Sequence, residues 1–191
     1  PTELICLDIG ASTGGFTDCL LQHGAAKVHA IDVGHNQLNS RIRRHPKVAV
    51  QEGLNARFLE PEDIGEPIDL IVIDVSFISL KLILPPVVAC LGPGGEIAAL
   101  VKPQFEVGRG QVGKGGIVRE PALHREVLER ISGFVRANDW GVAGFCASPV
   151  RGADGNREFL IHVLPAGPGL ERAALDEVLT RALAPQEEAE P

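Results

Sequence analysis

The chain has 191 residues, 45% of them hydrophobic, and a formal charge of −7. That length suits one α/β domain with a sizeable core, and no run reaches the roughly 18 apolar residues that a membrane-spanning helix needs. The acidic balance argues against broad, non-specific nucleic-acid binding, and four scattered cysteines with no CxxC pair, beside six unclustered histidines, argue against a zinc or redox centre.

Leu4–Ile9 reads as a first strand, closed by Gly10. Thr13 is expected to cap a helix that runs to His23 and stops at Gly24. Lys27–Val33 reads as the second strand, Gln37–Arg44 as a short basic helix stopped by Pro46, and Lys47–Gln51 as the third strand. Leu70-Ile71-Val72-Ile73 runs into Asp74, and Ile97-Ala98-Ala99-Leu100-Val101 runs into Lys102. Continuous apolar runs of this kind mark strands buried on both faces of a parallel sheet. Between them, Leu80–Leu91 reads as a helix despite Pro85-Pro86, with the fifth strand expected over Glu96–Lys102. Gly108–Gly116 is a glycine-rich loop. Pro121–Asn138 is an amphipathic helix with Leu123, Val127, Leu128, Ile131, Phe134 and Val135 on one face and Pro121 in its first turn. Val142–Ala147 and Glu158–Leu164 read as the last strands, Gly169–Leu183 as the last helix, and residues 185–191 as a disordered acidic tail holding Glu187, Glu188 and Glu190. Strands alternating with helices predict a doubly wound, mostly parallel, seven-stranded sheet.

The carboxyl ends of parallel strands form the rim where such folds bind ligands. The loop Asp8-Ile9-Gly10-Ala11-Ser12-Thr13-Gly14-Gly15-Phe16 sits on that rim. Its small residues let a ligand approach the backbone. Asp32 ends the second strand 22 residues after Gly10, a spacing that lets a carboxylate bond the hydroxyls of an adenosine ribose. The pattern is not GxGxxG, so a dinucleotide is disfavoured; DxGxxxGG followed by an acidic strand end is what S-adenosylmethionine sites look like. The plain alternative is a tight turn, with Asp32 as a helix cap.

Two rival motifs fail on context. Gly10-Ala11-Ser12-Thr13-Gly14 matches the GxSxG nucleophile elbow of hydrolases, but here the serine follows the first strand, and only His124 or His162 could complete a triad in the required order. Gly108 to Gly115 approaches a phosphate-binding loop with Lys114, but position 115 is glycine, so the magnesium-binding hydroxyl is lacking. The segment reads better as a lid over the rim.

Methyl transfer from a sulfonium to a hydroxyl needs an aligned oxygen and a base for its proton. Lys102 is the candidate base, with Asp74 holding its ammonium and Glu158 reaching it from the last strand. A salt bridge kept for stability alone is the competing reading, and burial makes that a poor use of two charges. Phe16, Phe77 and Phe105 follow strand ends and could stack on a nucleobase or cap the core. Arg41, Arg43, Arg44 and Lys47, with Arg109, Lys114 and Arg119 on the lid, could meet phosphates or merely face solvent.

Asp8–Asp18 (DIGASTGGFTD), Asp32-Val33-Gly34, Asp74–Leu80 (DVSFISL), Lys102–Glu106 (KPQFE) and Ser148–Phe159 (SPVRGADGNREF) resemble the TlyA family in order and spacing. Its members are S-adenosylmethionine-dependent ribosomal RNA 2′-O-methyltransferases, often labelled hemolysins, with a domain similar to that of the FtsJ-like ribose methyltransferases. The resemblance implies that Asp74, Lys102 and Glu158 are the last three members of a Lys-Asp-Lys-Glu catalytic tetrad. It implies donor binding by Asp8, Gly10, Ala11, Ser12, Thr13, Gly14, Gly15, Phe16, Asp32, Val33, Asn55 and Asp74, with Asn55 near the adenine, and no metal. The expected partner is ribosomal RNA or a ribosomal subunit, and the expected location cytoplasmic, with no membrane. Residues 1–184 are expected to form the methyltransferase domain. The absence of methionine suggests a domain cut from a longer chain. The tetrad's first lysine and the family's small N-terminal RNA-binding domain are then expected outside this sequence. A membrane-active hemolysin and a non-enzymatic RNA-binding module are the alternatives, with a serine hydrolase acting through Gly10-Ala11-Ser12-Thr13-Gly14 a minor one.

Overall fold

Seven strands pair side by side in the order β3-β2-β1-β4-β5-β7-β6, in a computed structural model that describes residues 1–108, 110–152 and 155–185. The strands are β1 (Ile5–Ile9), β2 (Lys27–Asp32), β3 (Val48–Glu52), β4 (Ile68–Ile73), β5 (Leu91–Val101), β6 (Gly141–Ala147) and β7 (Phe159–Leu164). The first five are parallel, and β7 lies antiparallel between β5 and β6. This is the predicted mostly parallel α/β sheet of seven strands.

The helices are α1 (Gly15–Gln22), α2 (Ser40–Arg43), α3 (Pro61–Ile64), α4 (Leu80–Val88), α5 (Pro103–Glu106), α6 (Pro121–Ala137) and α7 (Arg172–Leu183), with a 3₁₀ turn at Ala56–Phe58. Alternation along the strands divides the core into two layers. Leu7, Ile9, Ile31, Ile71, Ile73 and Ile97 face one layer with residues of α4, α6 and α7, each at most 1% exposed. Burying each such side chain is worth about 1.5–3 kcal/mol. Cys6, Val28 and Val72 face the other, against Leu20 and Phe16 of α1.

Several boundaries differ from expectation, each for a local reason. Helix α1 starts at Gly15, and its cap is Gly14 at φ 102, with no side-chain cap from Thr13. The basic helix shrinks to α2 because Asn39 caps it, accepting from Arg41 N at 2.9 Å. Helix α4 ends at Val88 rather than Leu91. Leu91 instead opens β5 by pairing with Ile68, and a register shift after it absorbs the Gly-Pro-Gly-Gly run before Glu96 pairs with Leu70. On α6 the fully covered face holds His124 and Ser132, while Leu123 and Phe134 are only half-buried. His124 meets the Val118 carbonyl through Nε2 at 2.9 Å and the edge of the Phe159 ring at 5.6 Å. Burial pushes its pKa down, so the neutral ring donates there. The expected tail falls almost wholly outside the described residues, as does Arg109 of the lid.

Candidate active site

The strand order reverses between β1 and β4, and in open α/β sheets the cleft beyond the carboxyl ends at that reversal is where ligands sit. Here Asp74 N donates to the Ile9 carbonyl at 2.9 Å, and Gly10 and Ala11 amides donate to the Ile31 carbonyl at 2.9 and 3.0 Å. These bonds draw the ends of β1, β2 and β4 together. Gly10 is at φ 83, and a Cβ on it would lie 2.1 Å from the Asp74 carbonyl oxygen. No other residue fits that crossing.

A cavity of about 430 Å³ opens there, lined by Gly10, Ser12, Asp32, Val33, Gln37 and Asn55, with Ile31, Leu54, Ala56 and Ile83 as apolar walls and Asp74 to Ile78 along one side. The Asp32 carboxylate accepts from Ser12 N at 2.8 Å and Gly34 N at 2.7 Å, one amide to each oxygen. Each oxygen keeps lone pairs for another donor, so a fixed carboxylate faces a largely apolar slot. Asn55 Oδ1 accepts from Arg57 N at 3.1 Å, which leaves its amide N–H groups for other partners.

A second cavity of about 650 Å³ adjoins it, lined among others by Phe16, Lys102, Gln104, Phe105, Arg151 and Glu158. Asp74, Ser76 and Phe77 line both. Lys102 Nζ lies 2.5 Å from Asp74 Oδ1 and donates to Ser76 Oγ at 3.1 Å. The lysine side chain is 12% exposed and the aspartate 38%, so the ammonium is held inside while the carboxylate reaches the opening. Phe77 is 90% exposed and has φ 62, a backbone conformation that side chains rarely adopt without a compensating role. Its ring packs on Phe105 at a centroid distance of 4.9 Å. Phe77 therefore caps no core.

Glu158 is 6% exposed and sits just ahead of β7. It shares the second cavity with Lys102 but makes no ion pair with it among the described residues. Its Oε1 accepts from Gln104 Nε2 at 2.9 Å. Gly152 packs against this carboxylate, at a place where a Cβ would lie 2.1 Å from Oε1.

The other predicted residues scatter around this centre. Thr13, Gly14 and Gly15 line a shallow neighbouring cleft with Asn39 and Arg41. Ala11 and Asp8 are buried and line neither cavity. Asp8 accepts from the Thr17 hydroxyl at 2.6 Å, and its Oδ1 has no partner among the described residues. Burial, reinforced by the charges of Asp74 and Asp32, pushes its pKa up to about 6. Among the basic residues, Arg43 is paired with Glu52 and Lys47 Nζ donates to the Ala25 carbonyl at 3.0 Å, while Arg41 and Arg44 stay exposed. The described lid residues line neither cavity. The lid's far end is tied down by Asn156, which donates to the Gly116 carbonyl and accepts from Val118 N, both at 3.0 Å. Sequence reasoning missed Ser76, Gln104 and Gln37. The first two lie inside the quoted motifs, but only the folded loops show that they touch Lys102 and Glu158.

A carboxylate on β2, a tight glycine turn after β1 and a lysine–aspartate pair after the next strands have the layout of a methyltransferase domain. The chain belongs to the FtsJ-like methyltransferase family, whose model matches residues 2–163. It is 50% identical to the candidate rRNA methyltransferase YqxC of Bacillus subtilis over 177 residues, which cover 92% of this chain and 63% of YqxC. It is 45% identical over 179 residues to the 16S/23S rRNA (cytidine-2′-O)-methyltransferase TlyA of Mycobacterium tuberculosis, covering 93% of this chain and 67% of TlyA. The chain thus spans about two thirds of the length of these relatives. A candidate hemolysin from Streptococcus thermophilus superposes with TM-score 0.88 at 46% identity, over 95% of this chain and 66% of that one. A candidate S-adenosylmethionine-dependent methyltransferase from Listeria monocytogenes shares the fold at TM-score 0.63 and 16% identity, over 87% of this chain and 92% of that one. Family and fold together imply S-adenosylmethionine as the methyl donor.

Proposed function

We propose that residues 1–184 are the methyltransferase domain of a cytoplasmic enzyme that moves a methyl group from S-adenosylmethionine to a ribose 2′-hydroxyl of ribosomal RNA. The observation that carries this reading is the pair of adjoining cavities with one shared wall of Asp74, Ser76 and Phe77, and Lys102 on the far side of that wall. The first cavity fits the donor by its chemistry. Asp32, held by two amides, would take the ribose hydroxyls; Val33, Leu54 and Ala56 with Asn55 would take the adenine; Gly10 and Ser12 would let the methionine part approach the backbone. The donor supplies an electrophilic methyl carried on a sulfonium.

On the second side, Phe77 and Phe105 offer a platform for the acceptor base. Lys102 acts as the neutral amine: it takes the proton of the acceptor hydroxyl as the oxygen bonds the methyl and the methyl–sulfur bond breaks, and the ammonium so formed is held by Asp74 and Ser76. Glu158, held by Gln104, adds negative charge to the same cavity. Asp8 lies beneath the loop and braces α1 through Thr17. The ribose 2′ position is carried over from the tuberculosis relative, a cytidine-2′-O-methyltransferase. Among the described residues no helix is long and apolar enough to cross a membrane, and a module that merely held RNA would not require the Asp32 cradle.

The test uses the full-length protein, labelled donor and ribosomal subunits, with Lys102→Ala as the variant. Methyl transfer is expected to fall by about 10²–10⁴-fold, the usual contribution of a general base, with donor binding by calorimetry retained. Undiminished transfer would remove Lys102 from the mechanism, and no donor binding by the wild-type protein would refute the reading as a whole.

A further inference from the structure

Helix α5 is a single turn that follows Lys102 directly, and its two polar side chains reach different parts of the site. Gln104 holds Glu158, as described above. Glu106 points the other way. It is 8% exposed, and both its carboxylate oxygens are used: Oε1 accepts from Leu80 N and Oε2 from Ser79 Oγ, each at 2.7 Å. Ser79 and Leu80 are the cap and first residue of α4, and they end the segment that begins at Asp74. The main chain of Glu106 is fixed in turn, because Arg130 Nη1 on α6 donates to its carbonyl at 2.9 Å while Arg130 Nη2 donates to Glu126 at 2.6 Å.

This carboxylate is not needed to start α4. Ser79 already provides a side-chain cap, its Oγ accepting from Lys81 N at 3.3 Å. Burying an acid for stability alone is a poor exchange, since the cost of desolvation consumes most of what its bonds return. Glu106 lines neither cavity, so any effect on the reaction must pass through the groups it holds. Those groups end the segment carrying Asp74, Ser76 and Phe77, and Glu106 itself stands four residues after Lys102.

Resting on the function proposed above, we infer that Glu106 is a positioning residue that sets the Asp74–Phe77 segment in register with Lys102 from behind. Lys102 sits 2.5 Å from Asp74 and 3.1 Å from Ser76, and both distances depend on how the segment is anchored against α5. A misplacement of about 1 Å in a catalytic constellation can cost about 10²-fold in rate.

The test compares the full-length wild-type protein with Glu106→Ala and Glu106→Gln. It measures methyl transfer to ribosomal subunits at saturating donor, donor Kd by calorimetry, and amide hydrogen exchange across residues 75–80. Glu106→Ala should lower kcat by about 10²-fold, change donor Kd far less, and raise exchange in residues 75–80 but not in β1 or β2. Glu106→Gln keeps an acceptor for Leu80 N–H and should recover most of kcat. The inference is overturned if Glu106→Ala transfers methyl as the wild type does, if donor binding falls in step with kcat, or if Glu106→Gln is no better than Glu106→Ala. Should Glu106→Ala fail to fold, Ser79→Ala removes one of the two bonds together with the α4 cap, and Ser79→Asn, which can still cap the helix, serves as its control; Ser79→Ala should lower kcat about tenfold or more, as expected for one charged hydrogen bond, and an unchanged kcat overturns the inference. A wild-type protein that transfers no methyl refutes the proposed function itself, and that outcome is read without any variant.

Discussion

Asp8→Asn should make this protein more stable at neutral pH. The carboxyl of Asp8 is 1% exposed, it accepts from the hydroxyl and the amide of Thr17, and burial lifts its pKa from an ordinary 3.8 to about 6. One unit between native and unfolded values is worth about 1.4 kcal/mol, so ionised Asp8 costs the native state about 3 kcal/mol. The sign follows from proton counting. Between about pH 4 and pH 6 the native state keeps the proton that the unfolded chain has released, so this group's contribution to stability falls as pH rises through that window and is level above it. Asparagine has the same shape, can still accept from Thr17, and has no charge to bury. Its amide also replaces one unpaired buried atom with another. The variant and the wild type should therefore melt together near pH 4 and separate by about 3 kcal/mol at pH 7.5, or about 6–12 °C in Tm for a domain of this size. Taking the difference at each pH removes what every other group contributes. Thermal melts from pH 4 to pH 7.5 decide the matter: a variant less stable at pH 7.5, or an offset that does not change with pH, would refute the reasoning. A costly carboxylate near Asp74 and Asp32 is the kind of group that persists for function rather than for folding.

Glu66 should behave with the opposite sign. Bonds from Lys27 and His29 hold its carboxyl below the usual range, so their stabilisation is present above that range and is lost as pH falls through the depressed value; Glu66→Gln should cost under about 1 kcal/mol at pH 7, and chemical denaturation should show the difference shrinking in acid. Arg157 donates to the carbonyls of Leu183 at 2.9 Å and Ala182 at 2.8 Å at the end of α7 and lies over the Phe159 ring at 5.2 Å; Arg157→Leu should lose about 2 kcal/mol and lower Tm by about 4–8 °C, measured by calorimetry. Phe77→Ala should leave stability within about 0.5 kcal/mol, since its ring is almost wholly exposed, yet raise the KM for ribosomal RNA, because one lost base stack is worth about 1–3 kcal/mol; an unchanged KM would take Phe77 out of the acceptor platform.

The strands that matter most were legible because a strand buried on both faces has to be apolar throughout, which makes the charge that ends it conspicuous. That is how Asp74 and Lys102 stand out, and the fixed span of a strand–helix–strand unit brings Asp32 to the same rim. Of the shortest helices, α2 shows in the sequence only as an overlong basic helix, and α3 and α5 do not show at all. All three are too short to display a period of 3.6, and Asn39, Pro61 and Pro103 set where they start. Leu91 looked helical because Gly-Pro-Gly-Gly after it reads as a loop, whereas a register shift lets β5 begin before that run. The partner of Glu158 was out of reach for a different reason: Gln104 meets it only because the turn of α5 carries the chain back toward β7. His124 and Ser132 share the covered face of α6 with its apolar residues because a carbonyl at Val118 and another at Glu129 satisfy them inside the core.

Asp74, Ser76 and Phe77 form a party wall between two ligand chambers, and a common wall makes the two occupancies answerable to each other. Whatever one ligand does to that wall, by ordering it, tilting it or neutralising Asp74, changes the free energy with which the other binds, and the effect must be equal in both directions. On the function proposed above, a donor that tightens the wall would raise affinity for RNA by the same factor by which RNA raises affinity for the donor. On that same proposal the spent donor would have lost the sulfonium charge, and a coupling altered by one charge beside Asp74 would let the wall tell a loaded first chamber from an exhausted one.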